Sequence, residues 1–200
     1  MAYCTASDLL DYGNFSTDTA TDDATLIACC TWAENIVNRY TGRSFQATSD
    51  IRYFDAINDI DGDTLWLDED LAFVDCDTII VNGDGSTDLL WTSDNLYWVT
   101  EPRNRTPHYA IKLTDNGGKD WTYDSNPEMA ISVDGYWGYS TNVPADVKWA
   151  TIRLATWIYK QRQTDVDLDR PLLTNDGMTI MPTKIPADVA SILELYKKLL

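Results

Sequence analysis

The sequence predicts an α+β protein: a helical bundle of about four helices with an inserted antiparallel β-module. Three observations predict it. Near both ends of the chain, apolar residues recur at three- and four-residue steps, the period of a helix with one buried face. Between residues 50 and 137 that period gives way to short runs rich in Val, Ile, Trp and Tyr, punctuated by Asp-Gly, Asn-Gly and Gly-Gly pairs. The 200 residues, 44% hydrophobic and 12% aromatic, supply enough apolar surface for a core and a modest inserted module. The expected division is 1–49 for the N-terminal helices, 50–137 for the β-module and 138–200 for the C-terminal helices.

Thr5, followed three residues later by Asp8 and then by Leu9 and Leu10, reads as a capped short helix that stops at Gly13. A longer helix follows, in which Leu26, Cys29, Cys30, Ala33, Ile36, Val37 and Tyr40 share a face. Asp22 and Asp23 suit its positive N-terminal end, and Gly42 suits a left-handed position just past its C-terminus. Seven short runs, "IRYF", "TLWL", "TIIV", "LLW", "LYWV", "YAIKL" and "AISV", then read as strands. Their short connections favour meander or barrel-like antiparallel pairing, because parallel strands need long crossovers. The pairs Gly117-Gly118 and the acidic segment around Gly62 read as hairpin turns.

Helical period returns after Pro144, with Val147, Ala150, Thr151, Leu154, Ala155, Ile158 and Tyr159 on one stripe. Residues 164–184 lack a period and read as a long loop. Pro186 opens a last amphipathic helix, expected to run to residue 200, on which Val189, Ile192, Leu193, Tyr196, Leu199 and Leu200 form the apolar face. Between the β-module and the second helical region lies "VDGYWGYSTNVPADV". Its alternation says strand, while Gly135 and Gly138 mark places where the backbone bends or another segment comes close. Gly135, Trp137, Gly138, Tyr139 and Pro144 are therefore read as a structural corner, whose rings wedge the β-module against the helices.

The charge balance narrows the function. With 32 acidic and 15 basic residues the net charge is -17, which opposes adhesion to nucleic-acid phosphates and to anionic lipid. No run approaches the ~18 apolar residues that span a bilayer, and the opening "MAYCTASDLL" lacks a basic, then apolar, leader pattern. Cys4, Cys29, Cys30 and Cys76 show neither zinc spacing nor a disulfide framework, and are read as free thiols in a reducing compartment.

Catalytic chemistry finds no constellation. The single histidine, His108, stands at the start of a strand with no partner singled out for it, and is read as a solvated strand-end residue. Acidic pairs are too numerous to locate a glycosidase-like couple. In "INDIDGDTLWLD", aligning Gly62 with the EF-hand glycine puts Ile57 at the first ligand position, where it cannot coordinate; only an irregular calcium site near Asp59, Asp61 and Asp63 survives that test. No metal ligand and no cofactor is assigned. Trp66, Trp91, Trp98 and Trp121 keep open an alternative, a carbohydrate- or receptor-binding β-module.

In order and spacing, "AENIVNRYTGRSF", "ISVDGYWGYS" and "VPADVKWATIRLATWIYKQR" resemble the head-tail connector proteins of tailed bacteriophages, also called adaptor or head completion proteins. The matching pieces are Gly42, Arg43 and Phe45 after the first long helix, then Val133, Gly135, Trp137, Gly138 and Tyr139 before a proline-led helix. The resemblance implies a non-enzymatic virion part at the head-tail interface, assembled in the bacterial host cytoplasm. It implies a subunit of a dodecameric ring that docks beneath the portal protein after DNA packaging and extends the DNA channel. The implied partners are the portal, further copies of the chain, and a downstream neck, stopper or tail protein; DNA is met only in passage and a membrane not at all. On this reading Ile192, Leu193, Tyr196, Lys197 and Leu200 form a portal-docking surface, and Asp165, Asp167 and Asp169 line a channel or inter-subunit loop. The smallest connectors are nearly all helical, so the β-module is a departure from them.

Overall fold

Thr5 starts the first helix by exchanging two bonds with Asp8: its hydroxyl accepts the Asp8 N–H at 3.2 Å and its own N–H donates to the Asp8 carboxylate at 2.8 Å. The computed structural model describes residues 3–14, 20–81, 89–91, 97–115, 120–123, 125–163, 172–173, 179–180 and 185–198. It is α+β and divides into two units, Met1–Gly42 with Val143–Leu200, and Arg43–Asn142.

The first unit holds α1 (Ala6–Gly13), α2 (Ala20–Thr41), α3 (Ala145–Gln163) and α4 (Ala187–Glu194). The first three all reach one another, and α3 is packed by α1, α2 and α4. All seven residues of the α3 stripe, Val147 to Tyr159, are buried, facing Leu9 of α1, Leu26, Cys29, Cys30, Ala33 and Val37 of α2, and Val189 and Leu193 of α4. Each fully buried leucine here contributes roughly 1.5–3 kcal/mol. Thr151 sits in this core because its hydroxyl donates to the Val147 carbonyl at 2.8 Å.

α1 stops at Gly13 as expected, and the left-handed residue that closes it is Asn14, at φ 50°; asparagine tolerates this region through its short polar side chain. One helix end differs from expectation. The last helix stops at Glu194 and does not run to residue 200. Leu195, Tyr196 and Lys197 donate to carbonyls only three residues back, and the Lys198 N–H goes instead to Thr41 at 2.8 Å, drawing the segment along the end of α2. There Gly42 adopts φ +69°. The segment 164–184, expected to be a loop without structure, contains the antiparallel pair β8 (Leu172–Leu173) and β9 (Thr179–Ile180). Two-residue strands are too short to show a period.

The second unit is a seven-stranded sheet of β1 (Thr48–Phe54), β2 (Ile60–Asp61), β3 (Thr64–Val81), β4 (Leu89–Trp91), β5 (Trp98–Glu101), β6 (His108–Leu113) and β7 (Ile131–Trp137). Every ladder is antiparallel, but the order β1-β7-β3-β6-β5, with β2 and β4 also on β3, is not a meander. The last strand lies between the first and third. Its residues alternate between buried and half-buried, and Ile131, Val133 and Trp137 join Phe54, Leu65, Leu71, Ile111 and Leu113 in the core.

"TLWL" and "TIIV" are not two strands but parts of one, the 18-residue β3. The acids between them suggest a break. Instead the strand shifts register between Trp66 and Leu71 against β6, and between Leu71 and Phe73 and again between Val74 and Ile79 against β7. Arg52 of β1 meets Glu69 at 2.9 Å, so one of those acids is countered from outside the strand.

The chain enters and leaves this unit side by side. Gln46 bridges Ser140, Ala47 donates to the Ser140 carbonyl at 2.9 Å, and Tyr139 donates to the Ser44 carbonyl at 2.7 Å. Glycine is required at Gly138: it has φ +144°, and a Cβ there would lie 2.7 Å from Ala47 Cα. At Gly135 a Cβ would stand 2.9 Å from Leu71 Cδ1 and 3.0 Å from the Phe73 carbonyl oxygen. Gly138→Ala is expected to cost about 3 kcal/mol in urea unfolding, because both the backbone angle and the neighbouring strand resist it. Gly62→Ala is the control. It shares a positive φ of +60° but has open space around it, so it should cost only about 1 kcal/mol; equal losses at the two sites would contradict the close-packing account.

Candidate functional site

Residues far apart in sequence converge where the two passages of the β-unit meet. Arg43 Nη1 reaches Asp70 Oδ2 at 2.6 Å, with Asp70 only 7% exposed. The guanidinium lies 5.7 Å from the centre of the Tyr139 ring, and that ring packs on the fully buried Phe45 at 5.4 Å. The Gly138 N–H donates to the Asp70 carbonyl at 2.7 Å. Thus the run Arg43–Phe45, the middle of β3 and the run Gly138–Tyr139 form one cluster. It fixes backbone and holds a charge.

The Trp137 ring belongs to the β-unit's own core, 5.9 Å from Phe54, and its Nε1 donates to the Asp50 carbonyl at 2.9 Å. The ring contacts described for Trp137 and Tyr139 are with Phe54, Arg52, Phe45 and Arg43 of the same unit. Pro144 opens α3, its carbonyl accepting the Lys148 N–H at 2.9 Å.

His108 is buried at 8% exposure, not solvated. Its Nδ1 lies 2.9 Å from the Pro102 carbonyl oxygen, so the strand opening encloses the ring instead of presenting it. Burial pushes its pKa below the ordinary histidine value, against the Pro102 carbonyl and Glu101, which favour the proton. The acids of the β2–β3 turn do not gather. Asp59 accepts the Asp55 N–H at 2.7 Å, and among the described residues no group of three metal-capable side chains comes together.

On α4 and beyond, the expected docking residues separate. Leu193 is fully enclosed in its unit, Ile192 is half-buried, and half-buried Tyr196 donates to Asp146 at 3.0 Å. Lys197 is exposed, 3.4 Å from Glu194 and over the Tyr40 ring. The Tyr40 hydroxyl also donates to Glu194 at 2.9 Å, and with Lys197 holds that carboxyl below the usual range. Sequence reasoning missed Leu195, which is 83% exposed. It falls off the apolar stripe of a continuous helix, and becomes prominent only because the helix ends one residue before it. Asp165, Asp167, Asp169, Leu200 and the pair Gly117-Gly118 lie outside the described residues.

Other uncharged surface is exposed. On α2, Ala24, Ile27, Ala28, Thr31, Trp32 and Asn35 form an outer stripe without acids, with Trp32 61% exposed. In the β-unit, exposed Trp66 and Tyr109 stack at 6.1 Å and 8°, whereas Trp98 and Trp121 pack half-buried on the core. Among the described residues no helix is long and apolar enough to cross a membrane.

No protein-family profile and no curated protein matches the sequence. Solved structures do. A chain from the neck of an empty gene transfer agent particle, computed with C6 symmetry, matches at a TM-score of 0.58 and 14% identity, covering 99% of this chain and 91% of that one. A chain from the virion of a native gene transfer agent particle matches at 0.56 and 16% identity with the same coverage. At such identities the likeness establishes a shared fold across both units.

Arg43→Met is expected to lower stability by about 3 kcal/mol, because Asp70 is left buried without its cation. Asp70→Asn added to Arg43→Met should recover much of that loss in denaturant unfolding; strictly additive losses would mean the pair is not coupled. For His108, the unfolded chain takes up a proton near pH ~6.5 while the folded one resists until lower pH. Stability should therefore fall as pH drops through that value, and His108→Gln should flatten this slope in thermal melts between pH 5 and 8. An unchanged slope would rule out His108 as its source.

Proposed function

We propose that the chain is a structural, non-enzymatic virion protein of the neck: a ring subunit that docks beneath the portal after packaging, extends the DNA channel and seats the next neck, stopper or tail protein. The observation that carries this reading is the fold likeness to a chain of a gene transfer agent particle neck over nearly the whole length of both molecules. The C6 symmetry of that neck is compatible with rings of six or twelve copies. The net charge of -17 suits a bore through which a polyanion slides without sticking.

In this role the C-terminal segment offers Ile192, Leu195, Tyr196, Lys197 and Leu200 to the portal, with Leu195 taking the anchor position in place of the enclosed Leu193. The segment containing Asp165, Asp167 and Asp169 faces the channel or a neighbouring copy. The exposed Trp66–Tyr109 stack favours the second reading, a carbohydrate- or receptor-binding β-module within a virion protein.

The test is electron microscopy of the full chain mixed with portal rings encoded by the same genome. Expected is added density of matching symmetry on one end of the portal, lost with Leu195→Asp while circular dichroism stays unchanged. Changing Asp165, Asp167 and Asp169 to Lys should leave docking intact and slow DNA exit from assembled particles. Bare portals at saturating protein would overturn the connector role; saccharide-dependent quenching of tryptophan fluorescence in that case would favour the second reading.

A further inference from the structure

The β-unit has an open edge at β1. Among the described residues this strand is paired with β7 alone, and every residue before Phe54 is exposed or half-buried. The Asp50 carbonyl accepts from Trp137 of β7, whereas the Ile51 N–H is taken by the neighbouring Asp50 carboxylate at 2.9 Å. Backbone groups alternate in direction along a strand, so Ser49, Ile51 and Tyr53 all turn theirs away from β7. Such a row is a template for another strand, and here the Asp50 carboxylate blunts it at its centre.

The side chains say which strand fits. In "TSDIRYF" an acid and a base stand on either side of Ile51. When the segment meets a second copy of itself antiparallel, a two-fold axis at Ile51 sets Asp50 of each copy opposite Arg52 of the other. Among the registers that join outward-facing backbone groups, an axis at Asp50 or at Arg52 sets like charges face to face. An axis at Ser49 or at Tyr53 leaves both charges without an opposite. Both side chains are free to change partner in part: Asp50 is 56% exposed, and Arg52 Nε stands 3.2 Å from it without a hydrogen bond.

We propose that β1 pairs edge to edge with β1 of a second copy of this chain, antiparallel and centred on Ile51, joining two β-units into one continuous sheet. Ile51 then exchanges both backbone bonds with its counterpart, and Ser49 does so with Tyr53 of the other copy. The Asp50 carboxylate leaves the Ile51 N–H and turns to Arg52 of the second copy. On the other face of the strand, exposed Ile51 comes beside Ile51 of the second copy with exposed Tyr53 diagonal to it, so apolar surface is covered as well. A net charge of -17 on each copy opposes association, which restricts the contact to a place where acids find cations. The contact closes on two copies. It therefore goes beyond the connector role, whose ring contacts run head to tail, and is read on the protein without a portal.

The test is sedimentation equilibrium of the full chain up to about 1 mM, where even a weak strand pair registers, together with amide hydrogen exchange followed by NMR. Expected is a monomer–dimer equilibrium in which the Ser49, Ile51 and Tyr53 amides gain protection as the dimer fills. Asp50→Arg and Arg52→Asp should each raise the dissociation constant at least about tenfold. An equimolar mixture of the two variants should return to within about threefold of the wild-type value, because each then meets opposite charges. Ser49→Pro removes an outward N–H without touching a charge, and should abolish the dimer while circular dichroism stays unchanged. It carries the test with Asp50→Arg if Arg52→Asp, which also loses the bond to Glu69, does not fold. A chain that stays monomeric at that concentration would overturn the proposal. So would a dimer indifferent to Asp50→Arg and Ser49→Pro, since its contact would lie elsewhere on the chain.

Discussion

The β-unit depends on one constraint: the chain must leave it beside the point where it entered. Closing a segment of this length costs entropy that rises slowly with length, so a few well-placed contacts at the mouth are enough to hold it shut. The Arg43–Asp70 ion pair, the bridge between Gln46 and Ser140 and the packing of Phe45 on Tyr139 are those contacts. From there the register follows. With Gln46 beside Ser140, Thr48 falls opposite Trp137, and the β1–β7 ladder runs inward to Phe54 opposite Ile131. The pair is more than glue at a rim, because Asp70 lies in β3 and ties the third strand to the same mouth. That third strand then carries most of the sheet, bonding to β2, β4, β6 and β7 along its length.

The acidic composition shapes both units in a similar way. Cations are scarce, and besides Arg43 three of the described ones join segments distant in sequence: Arg52 to Glu69, Lys148 to Asp8, Arg153 to Asp188. Exposed pairs of this kind contribute at most about 1 kcal/mol each. Their value lies more in relieving repulsion at places where acids would otherwise face each other. For Asp8, burial raises the carboxyl's pKa, but the Thr5 N–H and hydroxyl and the Lys148 ammonium together outweigh it and hold the group below its ordinary value. A group lowered in this sense supports the fold above the usual carboxylate range and loses that support as pH falls through its folded pKa. The capping box and the α1–α3 bridge thus share one carboxylate and weaken together in acid.

Much of the fold was legible because it rests on period. The α3 stripe, read from Val147 to Tyr159, is buried without exception, and the run "AISV" is the start of a strand with period-two burial. What escaped was set by tertiary partners. Asp68, Glu69 and Asp70 look like a break between two strands, yet Arg43 and Arg52 arrive from elsewhere and β3 continues through register shifts. No local pattern announces that. His108 looks solvated at a strand end until the Pro102 carbonyl closes over it. The end of α4 is decided by Thr41, more than 150 residues away, accepting the Lys198 N–H. The exposed Leu195 follows from that stop and not from any feature of its own neighbourhood. The candidate site was less legible than the fold, since exposed residues obey no packing period and their meaning depends on what meets them.

In the proposed role, the same charge that lets DNA pass also limits where other proteins can attach. Acidic surfaces brought together repel over a Debye length of about 8 Å in physiological salt, so copies of this chain can abut only where acids are absent or paired. Three turns of α2, from Ala24 to Asn35, present such a face, and its small residues Ala24, Ala28 and Thr31 allow close approach beside the larger Ile27 and Trp32. The C-terminal turn is the other candidate, where Leu195 stands between Glu194, already engaged by Tyr40 and Lys197, and the basic pair Lys197-Lys198. An uncharged stripe and an apolar tip with basic neighbours are different surfaces on one unit. A ring docked on a second partner needs that inequality, because the surface that meets a neighbouring copy and the surface that meets the molecule beyond the ring cannot be the same.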